Sequence, residues 1–261
     1  MKLVSHGFHL PKSCQLIIPD ERMAETYLLR IGYFRLSAYS LSFQTIKDVF
    51  NPGTIFDNIL KVYFFDRRLR LLVLDAIERL EVSIRAQIVN FLALKYHNSH
   101  WQDDPALFKP PYALPNGAVV NIFKEIGDII TKQDRQGIAN FFGLHDKVFT
   151  SWMHAISYLR NLCAHHSRLW NREFAIKPDI LLKPANPWIS SLYNSNNHRC
   201  FYFLCVLKYL LDSANPGNNF SNKLVSLLNA FPEVPIQYLG IPSDGSGKLI
   251  DWQKEPLWSG I

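Results

Sequence analysis

The chain has 261 residues and a mass of 30.2 kDa, with 48% hydrophobic and 19% charged residues. That composition excludes a disordered chain, and the length is enough to bury a core. Formal net charge is +6 and sequence pI near 9.1, while no apolar run approaches the roughly 18 residues of a membrane helix.

The elements read as helices almost throughout. Asp20 is a cap for a helix over Glu21–Ile31, stopped by Gly32. The aromatic segment Tyr33–Tyr39 follows, then a turn at Asn51-Pro52-Gly53 and a capping-box pattern at Thr54 and Asp57. From Thr54 to about Tyr96 there is neither Pro nor Gly. Apolar residues recur there at Ile59, Val62, Phe65, Leu69, Leu72, Ala76, Leu80, Ile84 and Ile88, spaced by three and four. This is one long helix or two nearly collinear ones, roughly 60 Å if unbroken.

Pro105, Pro110, Pro111 and Pro115 make residues 98–117 a long loop. Helices are expected at about Val119–Thr131, at about Arg135–Phe142, and from about Val148 after an Asp146 cap. A second Pro-rich loop covers residues 175–188. Helices over His198–Leu211 and Ser221–Leu228 come next, and a Pro- and Gly-rich tail from Pro232 is expected to wrap the surface. The fold class is all-α. The opening Met1-Lys2-Leu3-Val4-Ser5-His6 shows no secretory pattern, so a cytoplasmic location is expected, with no membrane partner. Cys14, Cys163, Cys200 and Cys205 have no CxxC spacing and read as reduced, mostly buried thiols.

The charge is uneven. Residues 160–208 hold seven basic residues against two acidic ones, a net +5 of the total +6. Such a concentration suits a polyanion such as RNA or DNA, or is an ordinary solvated face.

Chemistry concentrates in Trp152–Arg172, read as one helix. Trp152, Ile156, Leu159, Cys163, His166 and Trp170 form its core stripe, which makes His166 a buried, satisfied histidine. Asn161, His165, Arg168 and Arg172 form a polar stripe. Arg160 and His165 are five apart, about 140° on a helix. Their convergence needs a break near His165 or a second copy of the motif across a dimer interface. The group suits RNA cleavage without metal: an imidazole moves a proton at the ribose 2′-hydroxyl or the leaving 5′-oxygen. A guanidinium holds the phosphate and an Asn orients either partner.

The segments Tyr27–Tyr39, Tyr63–Arg70 continuing through Asp75–Arg85, and Arg160-Asn161-Leu162-Cys163-Ala164-His165-His166-Ser167-Arg168-Leu169-Trp170-Asn171-Arg172 resemble, in order, the signatures of the Abi-like (abortive infection, AbiD/AbiF) family. So does the ending Gly240-Ile241-Pro242 … Asp251-Trp252 … Leu257-Trp258. The resemblance implies a HEPN-like helical bundle with long loop insertions and an irregular C-terminal tail. It implies one domain over residues 1–261, with an N-terminal helical segment (1–50), a helical core carrying the motif (51–230) and the tail (231–261).

It further implies a metal-independent endoribonuclease of a toxin-like anti-phage system, leaving 2′,3′-cyclic phosphate ends. Arg160, Asn161 and His165 would be catalytic, and no cofactor is implied. The partners would be RNA, as substrate and as a noncoding regulator, and a second copy in a homodimer. Arg168 and Arg172 would extend the phosphate track, with His166 and Asn171 in support. Some HEPN toxins carry a Tyr two residues after the His as a target for nucleotide transfer; Ser167 stands here, so that route of silencing is not expected. The alternative is a non-catalytic RNA-binding module on the same fold, scaffolding a structured noncoding RNA.

Glu78, Glu81 and Arg85 form a charged stripe on the long helix: surface ion pairs, or supporting residues that approach the motif helix. Asp66 and Arg70 read as another intrahelical pair. His97 and His100, with Asp103 and Asp104, lack a recognised ligand spacing, so no metal site is assigned. Tyr33, Phe34 and Tyr39 have the chemistry to stack bases near Arg35, but core packing is the favoured reading.

Overall fold

A computed structural model describes residues 15–46, 49–107 and 130–259. Most of the helix expected at about Val119–Thr131, the second half of the first Pro-rich loop and Cys14 lie outside them. The described residues are mostly helical, with one two-stranded sheet among them, as the all-α reading requires. By contacts it forms two compact units: the chain up to Leu69 with Leu227–Pro235, and Arg70–Ser226 with the chain from Ile236.

The first unit contains α1 (Glu21–Ile31), α2 (Tyr33–Ser40), the antiparallel strands β1 (Gln44–Ile46) and β2 (Val49–Phe50), and the start of α3 (Phe56–Tyr96). Asp20 Oδ1 accepts from the Met23 N–H at 2.9 Å, and Gly32 at φ 91 ends α1 by donating to Leu28 O. That positive φ is open to glycine at no steric cost, so one residue is enough to separate α1 from α2. Ala24, Leu36, Phe56 and Leu60 form the buried centre of this unit. The expected capping box at Thr54 does not form. The Thr54 hydroxyl donates to Asn51 O, and Asn58 Oδ1 accepts the Ile55 N–H instead.

α3 is continuous over 41 residues, so the long helix needs no break. All nine residues of its expected apolar stripe are buried. Two charged residues share that buried side: Asp66 is 0% exposed and Arg70 4%. The Tyr39 hydroxyl donates to Asp66 Oδ2 at 2.7 Å, which replaces part of the hydration the carboxylate loses.

The second unit holds the remainder of α3, α4 (Lys132–Phe141), α5 (Asp146–Ala164), α6 (Cys200–Ala214) and most of α7 (Phe220–Asn229). α6 buries eleven of its fifteen residues, as expected for a helix that is apolar all round. Asp146 is not the cap of α5. His145 is, its Nδ1 accepting from the Lys147 N–H, while Asp146 is buried in the first turn. The C-terminal tail does more than wrap the surface. Trp252 and Trp258 are buried against the Phe201 ring at 5.5 and 5.9 Å, because α6 offers aromatic side chains that only bulky apolar residues can cover.

α4 is fixed to the end of α3 by a polar cluster. Thr131 caps α4, and Asp134, 1% exposed, accepts from Lys95 Nζ, from Tyr96 Oη at 3.0 Å and from Thr131 Oγ1 at 2.6 Å. Burial pushes the Asp134 carboxyl up, but the bonds from Lys95, Thr131 and Tyr96 outweigh it and hold the group below its ordinary value. Nearby, an added Cβ on Gly137 would meet the Phe91 ring at 1.9 Å, so only glycine permits this approach of α4 to α3.

A carboxyl whose value is lowered on folding adds stability above its unfolded value near 4, and that stability is lost as pH falls through the lowered folded value. Asp134→Asn should therefore cost about 1–3 kcal/mol at neutral pH. Its urea midpoint should depend less on pH than the wild type's below about pH 4.

Candidate functional site

α5 carries the motif. Trp152, Ile156, Leu159 and Cys163, the first four residues of the expected core stripe, are all buried, with Phe149, Met153 and Ala155 beside them. The opposite side presents His154, Arg160, Asn161 and Ala164 to solvent.

The helix does not run on to Arg172. It stops at Ala164 with His165 as C-cap. His166 takes the left-handed conformation at φ 55. Its N–H donates to Cys163 O at 3.0 Å, and the Ser167 N–H donates to Leu162 O at 2.8 Å. Those two bonds make a Schellman turn, which usually has Gly at the left-handed position. Histidine tolerates that region better than most residues, but no Gly or Pro marks the stop.

The cause lies in packing. Leu169 and Trp170 are both 0% exposed. Trp170 meets the Tyr238 ring edge-to-face at 5.1 Å, and the Asn171 N–H donates to Tyr238 O at 3.1 Å. These contacts fix the chain after His166 in a path a straight helix would not follow.

This stop revises the expected faces. His166 is exposed, not a core histidine, because the left-handed turn takes it off the buried stripe. Arg168 and Arg172 lie beyond the helix, so the polar stripe holds only as far as His165. Both are half-buried, and Arg172 Nε is enclosed without a hydrogen-bond partner. Asn171 sits at φ 50 and accepts from Arg199 Nη2 at 3.2 Å, while Arg199 also faces Glu173 at 3.5 Å.

Arg160, Asn161 and His165 remain exposed at the end of α5. The His165 N–H donates to Asn161 O at 2.9 Å, so these two residues stand one helical turn apart on one face. His165 keeps near-helical dihedrals, φ −86 and ψ 13. The break therefore comes one residue too late to swing its side chain towards Arg160, and the angular separation stays about 140°.

Glu81 and Arg85 form an ion pair at 3.7 Å along α3, and Glu78 and Arg85 are exposed. Among the described residues, no three His, Cys, Asp or Glu side chains gather as a metal site. A cavity of about 600 Å³ opens between α4, α6, α7 and the C-terminal segment, lined in part by Lys208, Asp212 and Trp258, and no motif residue lines it.

Sequence reasoning read Arg70 only as part of a family signature and as an intrahelical partner of Asp66, and missed its reach to the motif turn. Its Nη1 donates to Ser167 O at 3.5 Å, so a buried guanidinium reaches the turn that ends the motif helix. The available signal was its place on the apolar stripe of α3, between Leu69 and Val73.

The sequence model of the Abi-like protein family matches residues 26–116 and 95–171, more than half of the chain. The chain belongs to the Abi-like family. The match takes in Arg70 and the motif from Arg160 to Asn171, and stops before the C-terminal tail. No curated protein and no solved structure matches the chain.

Arg70→Met should leave the Ser167 carbonyl without this donor and lower stability by about 1–3 kcal/mol, read from urea unfolding. Arg70→Lys should recover only part of that, because one ammonium lacks the planar fork of donors.

Proposed function

We propose that this Abi-like protein is a HEPN endoribonuclease of an abortive-infection system, cutting RNA without metal to leave 2′,3′-cyclic phosphate ends. The observation that carries the reading is the joint exposure of Arg160, Asn161 and His165 at the end of α5, inside the family match.

The His165 imidazole takes the proton from the ribose 2′-hydroxyl or supplies one to the leaving 5′-oxygen. The 2′-oxygen attacks the adjacent phosphorus, the bond to the 5′-oxygen breaks, and the cyclic phosphate remains. Arg160 holds the phosphate and stabilises the charge that grows on its oxygens. Asn161, one turn before His165, orients the imidazole or the substrate, and Arg168 and Arg172 extend the phosphate contacts.

Since Arg160 and His165 of one chain diverge by about 140°, the working site is completed by a second copy. A two-fold axis that brings two α5 ends together places Arg160 of each near His165 of the other. A structured noncoding RNA would hold such an enzyme in check by covering the same exposed cations.

Purified protein in EDTA should cleave RNA, and His165→Ala or Arg160→Ala should each lower the rate by at least about 10²-fold. Mixing and reassociating the two inactive variants should restore about a quarter of wild-type activity, since half the dimers would carry one intact shared site. Cleavage that survives in both variants overturns the reading. RNA binding without cleavage in the wild type favours a non-catalytic RNA-binding module.

A further inference from the structure

The left-handed turn after α5 carries a side chain that the turn itself does not require. Its two closing bonds, His166 N–H to Cys163 O and Ser167 N–H to Leu162 O, use main-chain atoms only. Glycine would take the φ of 55 found at residue 166 without steric cost, and it is the usual residue there. A histidine occupies the position instead, and it is exposed. Asn171, the other left-handed residue of this segment, differs: its side chain accepts from Arg199 Nη2 and so ties the loop down. Backbone strain of the kind seen at His166 gathers at functional sites.

The position is held firmly. Arg70 Nη1 donates to Ser167 O at 3.5 Å, and Leu169 and Trp170 are buried just after it. His165 and His166 are therefore two exposed imidazoles rooted on adjacent Cα atoms, about 3.8 Å apart. His165 keeps to the helical path with φ −86 and ψ 13, and His166 leaves it. The two side chains thus start from one fixed turn along different directions.

Cutting RNA without metal takes two proton transfers, one from the attacking 2′-hydroxyl and one to the leaving 5′-oxygen. Attack and departure lie roughly in line through the phosphorus, so one imidazole cannot serve both sides at once. We propose that His166 is the second catalytic histidine of the site, the general acid that protonates the 5′-oxygen while His165 takes the 2′-hydroxyl proton. The bond from the 2′-oxygen to phosphorus forms, the bond to the 5′-oxygen breaks, and the 5′-hydroxyl leaves with the proton from His166. Both imidazoles face water, so the proton gained by His165 and the one lost by His166 are exchanged with solvent before the next turnover. This role rests on the nuclease reading above and adds a residue to it.

The test uses the full-length protein in EDTA and an oligoribonucleotide with one linkage that the wild type cuts, made with oxygen or with sulfur at the bridging 5′ position. Sulfur leaves as a thiolate and needs no proton donor, because thiols are far more acidic than alcohols. Gly and Asn both suit a left-handed residue, so His166→Gly and His166→Asn remove the imidazole and keep the turn. Each should cut the oxygen linkage about 10²- to 10⁴-fold more slowly than the wild type, and the sulfur linkage at close to the wild-type rate. His165→Ala should be slow on both. Thermal midpoints near the wild type's would separate loss of the imidazole from loss of the turn.

Wild-type rates on the oxygen linkage in both His166 variants overturn the proposal and leave the nuclease reading in place. Equal slowing on oxygen and sulfur also overturns it, since a residue that only shapes the site gains nothing from a better leaving group. A wild type that cuts no RNA overturns the nuclease reading and this role with it.

Discussion

The left-handed turn at His166 decides the geometry of the candidate site. With Ser167 N–H bonded to Leu162 O and His166 N–H to Cys163 O, the carbonyls at the end of α5 are satisfied and the helix cannot continue. His165 becomes its last helical-like residue and stays in solvent. A non-glycine residue in that conformation costs about 1–2 kcal/mol, so the surroundings must hold it. Leu169 and Trp170, both fully buried, do so from one side, and the buried Arg70 does so from the other through Ser167 O.

α3 supplies polar groups where its pattern calls for apolar ones. Asp66 accepts from Tyr39 inside the first unit, and Arg70 donates to the α5 turn inside the second. Buried charges are costly unless they are hydrogen-bonded, and their net contribution to stability is often small. What such groups provide is direction. An apolar residue at position 70 would pack, but it would not specify where the Ser167 carbonyl must lie. Fold and chemistry thus meet in one helix, whose apolar residues build the core while Arg70 helps set the shape of the turn that follows His165.

That arrangement separates rigid scaffold from exposed chemistry. The face of α5 that holds Trp152, Ile156, Leu159 and Cys163 is locked into the core, while Arg160, Asn161 and His165 project from the same backbone. A fixed angle between Arg160 and His165 is the consequence, and it is why a single copy of the motif is half a site in the proposed mechanism.

Helix positions were legible because they depend on local rules. The Asp20 cap and Gly32 stop of α1, the nine buried positions along α3 and the helical character of residues 200–211 all follow from periodicity and capping chemistry. The motif was legible as spacing, and so was the angle between Arg160 and His165. The sequence by itself determined an all-α fold, the long helix, and the spacing of Arg160, Asn161 and His165. Only tertiary structure decided where α5 stops, that His166 faces solvent, that Arg70 reaches Ser167, and that Trp252 and Trp258 belong to the core. The physical reason is that the stop at His165 has no local signal. It is set by contacts between residues far apart in the chain, Trp170 with Tyr238 and Arg70 with Ser167, which a helical repeat cannot encode.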